Sequence, residues 1–90
     1  MDEANVSRTV EAALRQTADI RLIDMEEGLI HLAPALNKLA RLRLEHPGAS
    51  MEDLGLMMVP PISKSAVNHR FRRLAKIASD LRAEMEKARR

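Results

Sequence analysis

Apolar residues recur along this chain at the three- and four-residue spacing that places side chains on one face of a helix. Four segments show this spacing. Short stretches that contain Gly or Pro separate them, and these residues commonly end helices or form turns. The pattern predicts an all-α fold.

The first predicted helix runs from Asn5 to about Met25, and Gly28 is its stop signal. Asn5 is expected to cap the helix, because its side chain accepts hydrogen bonds from the free amides of a first turn. Beyond Ile20 the apolar spacing drifts, so the helix either ends early or buries a second side there. The predicted buried face consists of Val6, Val10, Ala13, Leu14 and Thr17.

The second predicted helix begins at Pro34. Proline has no amide hydrogen, and it is tolerated at the first position of a helix because an amide there would have no helical partner. The connector 28–33 before it is apolar, and we expect it to fold back onto the core. The sequence His46-Pro47-Gly48 ends the helix, because Pro disfavours helical geometry at the residue before it and Gly permits a turn. The predicted buried stripe consists of Leu36, Leu39, Ala40 and Leu44.

A short third helix is predicted between two capping signals. Ser50 and Asp53 have the spacing of a capping box, in which each side chain binds the other residue's backbone amide. Gly55 weakens such a helix by about 1 kcal/mol, and close approach of a neighbouring helix is the expected reason for a Gly there. Pro60-Pro61 then forms a rigid turn, and Ser63 caps the next helix. Met51, Leu54 and Met58 are predicted to point inward.

The fourth predicted helix has an apolar stripe opposite a basic, amide-rich face. The stripe consists of Val67, Phe71, Leu74, Ala78 and Leu81, and Met85 and Ala88 extend it. The extension is either a dimer seam or a helix tail that packs on the first helix or frays at the terminus. The order of a capped third helix, a rigid turn and the fourth helix is typical of a helix-turn-helix. The sequence therefore predicts a trihelical helix-turn-helix core at about 34–80, with an additional N-terminal helix. The predicted recognition helix is about 63–80.

The polar face of this helix carries residue types that recognise DNA, since Arg pairs with guanine and Asn with adenine in the major groove. The residues predicted to meet base edges are Ser65, Asn68, His69 and Arg72. Arg73 and Lys76 lie to the side, where phosphates are nearer. Lys64 and the amides around Ser63 form a phosphate site at the positive end of the helix dipole. For Arg70, a DNA-backbone contact and packing or pairing with an acid remain alternatives.

The distribution of charge favours a polyanionic partner. The 90 residues have a net charge of +2, but residues 63–90 hold nine Lys and Arg against three Asp and Glu. That segment has a charge of +6, and residues 1–62 have a charge of −4. A solvated helix that happens to be basic is the alternative explanation.

Several classes of protein are excluded by the sequence. The absence of Cys excludes disulfides and Cys-based zinc sites, and no apolar run approaches the ~18 residues of a membrane span. His31, His46 and His69 are scattered without metal-ligand spacing. Ser63 or Ser65 with His69 lacks an orienting acid and an oxyanion site. We therefore expect no enzyme activity, no metal and no cofactor. The acidic N-terminus has no secretory core, which favours a cytoplasmic protein.

Several separate motifs resemble the C-terminal helix-turn-helix domain of WhiA-type transcriptional regulators of Gram-positive bacteria. One group lies at 3–5, 8–10, 12–13 and 15–16, and a second at 42–47, 49–50 and 53–55. The most specific is Pro60-Pro61-Ile62-Ser63-Lys64-Ser65-Ala66-Val67-Asn68-His69-Arg70. Ala66 stands where similar proteins often have Gly.

This resemblance implies a DNA-binding regulator of cell division and, in some bacteria, of sporulation. It also implies a missing N-terminal portion similar to LAGLIDADG homing endonucleases, so residues 1–90 are expected to be one domain excised from a longer protein. The resemblance also implies that one group of residues contacts DNA: Ser63, Lys64, Ser65, Asn68, His69, Arg70, Arg72 and Arg73. The alternative function is a protein-interaction module that docks on transcription machinery such as an RNA polymerase subunit, and the expected location is the nucleoid.

Overall fold

The computed structural model describes the backbone of residues 3–89 and the side chains of residues 8–89. The described chain forms helices α1 (Glu3–Glu26), α2 (Pro34–Glu45), α3 (Met51–Met57) and α4 (Lys64–Ala88), with a 3-10 turn at Leu29–His31. The all-α prediction is confirmed. None of the helices within residues 3–89 has the length and hydropathy that crossing a membrane requires.

Helix α1 buries its second half and exposes much of its first. Ile20 and Ile23 are fully buried, whereas Val10 is 53% and Leu14 65% exposed. The predicted face is therefore wrong for these two residues, because the helices of the core pack beside the later turns of α1. The helix already includes Asn5, so the prediction that Asn5 is its N-cap is also wrong. The side chain of Val6 lies outside the described residues.

Local signals end α1 and begin α2 as predicted. Gly28 has a φ of 84° and donates its amide hydrogen to the carbonyl oxygens of Ile23 (3.0 Å) and Asp24 (3.1 Å). This backbone geometry favours glycine. The connector folds back onto the core through Leu29, which is buried, and Pro34 occupies the first turn of α2.

The central helix of the fold is α4, which packs more extensively against α1 than against any other helix. Its predicted stripe is buried over its whole length, from Val67 to Leu81, while Met85 is half-buried and Ala88 is exposed. Arg82 Nη1 lies 2.9 Å from Asp19 Oδ1 and joins the later turns of α4 to α1. This ion pair packs the later turns of α4 on α1, and the dimer seam at Met85 and Ala88 stays a prediction.

The turn between α3 and α4 is fastened to α3. The capping box is confirmed, since Ser50 Oγ accepts from the Asp53 amide (3.1 Å) and Asp53 Oδ2 accepts from the Ser50 amide (3.4 Å). The carbonyl oxygen of Gly55 accepts from the amides of Ile62 (3.0 Å) and Met58 (3.3 Å). The Val59-Pro60 peptide bond in this turn is cis.

The close approach predicted at Gly55 is present, but the nearest neighbour is the turn and not a helix. A Cβ atom on Gly55 would overlap the carbonyl oxygen of Ile62 and would lie 3.3 Å from Val67 Cγ2 on α4. Gly55 therefore lets α3, the turn and the start of α4 pack against one another.

Candidate nucleic-acid interface

The N-terminus of α4 is fixed by a side-chain cap. Ser63 Oγ accepts a hydrogen bond from the Ala66 amide at 3.1 Å, as predicted, and the helical backbone bonds begin with the Val67 amide donating to Ser63 O (3.0 Å). The amides of Lys64 and Ser65 precede that first bond, so they lie at the positive end of the helix dipole. This end of α4 offers backbone donors and the Lys64 side chain together.

Replacing Ser63 by Ala is expected to lower the free energy of unfolding by about 1 kcal/mol, because the Ala66 amide loses its acceptor. Urea denaturation followed by circular dichroism measures the change. Ser79, which is exposed inside the same helix, gives the control: Ser79→Ala should be neutral or slightly stabilising. Equal stabilities of the two variants would contradict the capping role.

The polar face of α4 forms one continuous exposed stripe. Ser65, His69, Arg72 and Lys76 are all exposed, and their steps of four, three and four residues place them on one side of the helix. Arg73 is exposed beside this stripe. Asn68 is half-buried at its margin, so less of its amide is accessible than the sequence pattern implied. We call Ser65, His69, Arg72 and Lys76 the polar stripe.

The cations of this surface have few acidic neighbours. Lys76 Nζ lies 3.1 Å from Asp80 Oδ1, but the two side chains are 76% and 61% exposed, and such surface pairs are weak. Among residues 8–89, no carboxylate pairs with Arg70, Arg72 or Arg73. Arg70 is half-buried at the edge of the apolar stripe, so packing is part of its role. Positive charge on this face is therefore available to an external anion.

Arg43 is a buried cation that was not predicted from the sequence. It is 2% exposed, and its Nη1 donates to the carbonyl oxygens of Ala49 (2.7 Å), Pro47 (3.2 Å) and His46 (3.3 Å). Its guanidinium carbon lies 5.6 Å from the centre of the Phe71 ring. Burial lowers the pKa of the Arg43 guanidinium from its ordinary value, because the charged form loses hydration. Arg43 thereby ties the connection between α2 and α3 to α4.

A sequence signal for this burial does exist. Position 43 follows Leu36 by seven residues and Leu39 by four, so it continues the buried stripe of α2. Arg43 also borders a cleft of about 590 Å³ between α1, α3 and the start of α4, together with Arg8, Arg15 and Lys64. No sequence pattern predicts this cleft. Within the described chain, no three His, Asp or Glu side chains lie where they could hold a metal ion.

Comparison with known proteins gives consistent results at the levels of family, sequence and structure. The family described as "WhiA C-terminal HTH domain" matches residues 1–78. A "Probable cell division protein WhiA" of Clostridium novyi (strain NT) is 49% identical over 83 residues, which are 92% of this chain and 26% of that protein. The protein of the same description from Moorella thermoacetica is 47% identical over 83 residues, with the same coverage.

A solved structure is also similar. The crystal structure of full-length DUF199/WhiA from Thermatoga maritima matches with a TM-score of 0.81 and 33% identity, over 87% of this chain and 27% of that one. The present chain thus spans about a quarter of the length of the curated relatives it matches. Because the family match covers most of the described helices, the chain belongs to the family of WhiA C-terminal HTH domains.

Proposed function

We propose that this chain binds double-stranded DNA sequence-specifically, with the first half of α4 in the major groove. The observation that carries the proposal is the polar stripe, which a capped, fastened turn presents on the face of α4 opposite the core. Membership in a helix-turn-helix family supports this assignment. We further propose that the chain, residues 1–90, is one domain with its core at about 34–80, that it acts without catalysis, and that it acts at the nucleoid.

The proposed contacts divide according to position along α4. Ser65, His69 and Arg72 meet base edges, and Asn68 meets them from the margin of the polar stripe. Ser63 and Lys64 hold a phosphate at the helix N-terminus, where backbone donors and positive charge coincide. The side chains proposed to contact other phosphates are Arg70, Arg73 and Lys76.

The wider role of the protein is proposed from its relatives. Because proteins named for cell division match this chain, we propose that it belongs to a transcriptional regulator of cell division and sporulation. The relatives are about four times as long as the matched segment. We propose that a LAGLIDADG-like N-terminal portion accompanies this domain in the whole protein and supplies further affinity.

Replacing Arg72 by Ala is expected to weaken binding to the preferred DNA site by about 1–3 kcal/mol and to relax sequence preference at one position. Lys76→Ala should weaken binding to all sequences and should flatten the dependence of log affinity on log salt by about one unit. Fluorescence anisotropy with a selected site and a scrambled site, over a range of salt concentrations, separates the two effects.

Lys87→Ala is the matched control, because Lys87 lies in the last turn of the same helix and the substitution also removes one positive charge. It should change affinity for both DNA sequences by less than about two-fold. If Arg72→Ala kept the affinity and the sequence preference of the Lys87 variant, α4 would not be the recognition helix.

Docking on a protein such as an RNA polymerase subunit is the second candidate function. It is favoured by the exposed apolar side chains of α3 and the turn, where Leu56 is 70% and Val59 91% exposed. A gel shift at low salt distinguishes the candidates, because a module that only binds protein should not retard DNA.

A further inference from the structure

The cleft beside α4 brings together an excess of positive charge. It has a volume of about 590 Å³ and lies between the first half of α1, the start of α3 and the start of α4. This volume falls in the range of small-ligand sites. The ionisable side chains that line it are four cations and one carboxylate: Arg8, Arg15, Arg43, Lys64 and Glu52.

Two polar atoms of the cleft lining are buried and without hydrogen-bond partners among the described residues, Arg43 Nε and Gln16 Oε1. The hydrogen bonds of Arg43 all come from Nη1, which leaves its Nε–H without an acceptor. A buried donor of this kind costs about 1–3 kcal/mol when it stays unpaired, so an acceptor that enters the cleft and pairs with it would remove this cost. The Gln16 side chain can contribute either an oxygen or an amide group.

The rim of the cleft holds cations without acidic partners. Arg8 and Arg15 are exposed and are two helical turns apart on one face of α1, about 10 Å along its axis. Neither pairs with a carboxylate among the residues whose side chains are described. Lys64 reaches the same cleft from the first position of α4. Unpaired Arg and Lys side chains around a buried N–H donor match the oxygens of a phosphate group.

We propose that this cleft binds a phosphate group, and that the DNA backbone beside α4 supplies it. That DNA supplies the phosphate rests on the proposed function. Lys64 lines the cleft and also lies at the end of α4 that is proposed to face DNA, so the two sites adjoin. Arg8 and Arg15 then extend the DNA interface from α4 onto α1. A free phosphate ion has the same chemistry and is the other source that the experiment distinguishes.

The first part of the experiment measures DNA affinity of the whole chain carrying Arg8→Ala or Arg15→Ala. Each variant should lose about three- to ten-fold in affinity at moderate salt, and its salt slope should fall by about 0.9, because one phosphate contact is removed. Arg21→Ala is the matched control. Arg21 is an exposed residue of the same helix outside the cleft, so this variant removes the same charge and should change affinity by less than about two-fold.

The second part measures phosphate directly, without DNA. Inorganic phosphate is added to the labelled chain, and chloride at equal ionic strength is the reference. Nuclear magnetic resonance should show saturable shifts of the Arg43 Nε–H and Gln16 side-chain amide signals with phosphate only. Arg15→Ala should weaken this binding by about three-fold or more, whereas Arg21→Ala should leave it unchanged.

The outcomes separate the cleft from the DNA-binding function. Loss of DNA affinity and salt slope in the Arg8 and Arg15 variants, relative to the Arg21 variant, supports the cleft with DNA as the source. Unchanged DNA affinity with saturable phosphate shifts supports the cleft with a free phosphate as its ligand. If the unaltered chain bound no DNA but showed those shifts, the DNA-binding function would fail and the cleft would stand. Unchanged DNA affinity and unmoved Arg43 and Gln16 signals would overturn the proposal.

Discussion

Replacing Gly55 by Ala should lower the free energy of unfolding by about 2 kcal/mol or more, a large share of the stability of a small domain. The new Cβ would overlap the carbonyl oxygen of Ile62 and would press on Val67 Cγ2, which lies 3.3 Å away. Ala is favoured over Gly inside a helix by about 1 kcal/mol, so the effect of propensity alone would be stabilising. We expect the overlap to dominate, because a backbone carbonyl held by the turn cannot rotate away as a flexible side chain can.

Gly48→Ala provides the control for this prediction. Nothing lies within 4 Å of a Cβ atom built on Gly48, and its φ is not positive. The same exchange should therefore be neutral or stabilising by up to about 1 kcal/mol. Urea denaturation of both variants measures the difference. A Gly55 variant as stable as the Gly48 variant would mean that the turn does not pack against α3 as described.

Replacing Arg43 by Met should lower the free energy of unfolding by about 3 kcal/mol. Met keeps an unbranched apolar stem, but it removes the donor that the carbonyl oxygens of His46, Pro47 and Ala49 share, and among the described residues only the His46 oxygen keeps another donor, the Ala49 amide. Loss of hydrogen bonds from a charged group costs about 1.5–3 kcal/mol, and the contact of the guanidinium with the Phe71 ring is lost as well.

Arg41→Met is the matched control for Arg43. Arg41 lies on the same helix, is exposed, and its Nε donates to Asn37 Oδ1 at 2.7 Å. An exposed hydrogen bond of this kind contributes little, so the control should change stability by less than about 0.5 kcal/mol. Thermal and urea denaturation of both variants test the expectation. Comparable losses in the two would show that Arg43 acts only through its charge and not through its buried hydrogen bonds.

Features that depend on neighbouring residues were predicted correctly from the sequence. The capping box at Ser50, the cap at Ser63 and the stop at Gly28 each follow from backbone amides within a few residues. The polar stripe of α4 was also predictable. A strong apolar stripe shows which side of a helix is buried, and the residues on the opposite side must then be exposed. For these features no knowledge of the tertiary packing is needed.

Several features that depend on which helices meet were not predicted. The sequence cannot show that the core lies beside the second half of α1, so Val10 and Leu14 were assigned to a buried face although both are exposed. Arg43 was passed over because Arg is rarely buried, although its position continues the apolar stripe. The cleft has walls from α1, α3 and α4, and therefore becomes visible only once these helices are assembled.

The ion pair between Arg82 and Asp19 has a mechanical consequence. Helix α4 is uninterrupted for 25 residues, about 37 Å, so its two halves move as one rigid element. The half that carries Arg72 packs on the core through Val67, Phe71 and Leu74, and the later turns are joined to α1 by the pair between Arg82 and Asp19. Because the helix is continuous, we expect a substitution at Asp19 to change the direction of Arg72 slightly, although Arg72 lies about three helical turns from Arg82.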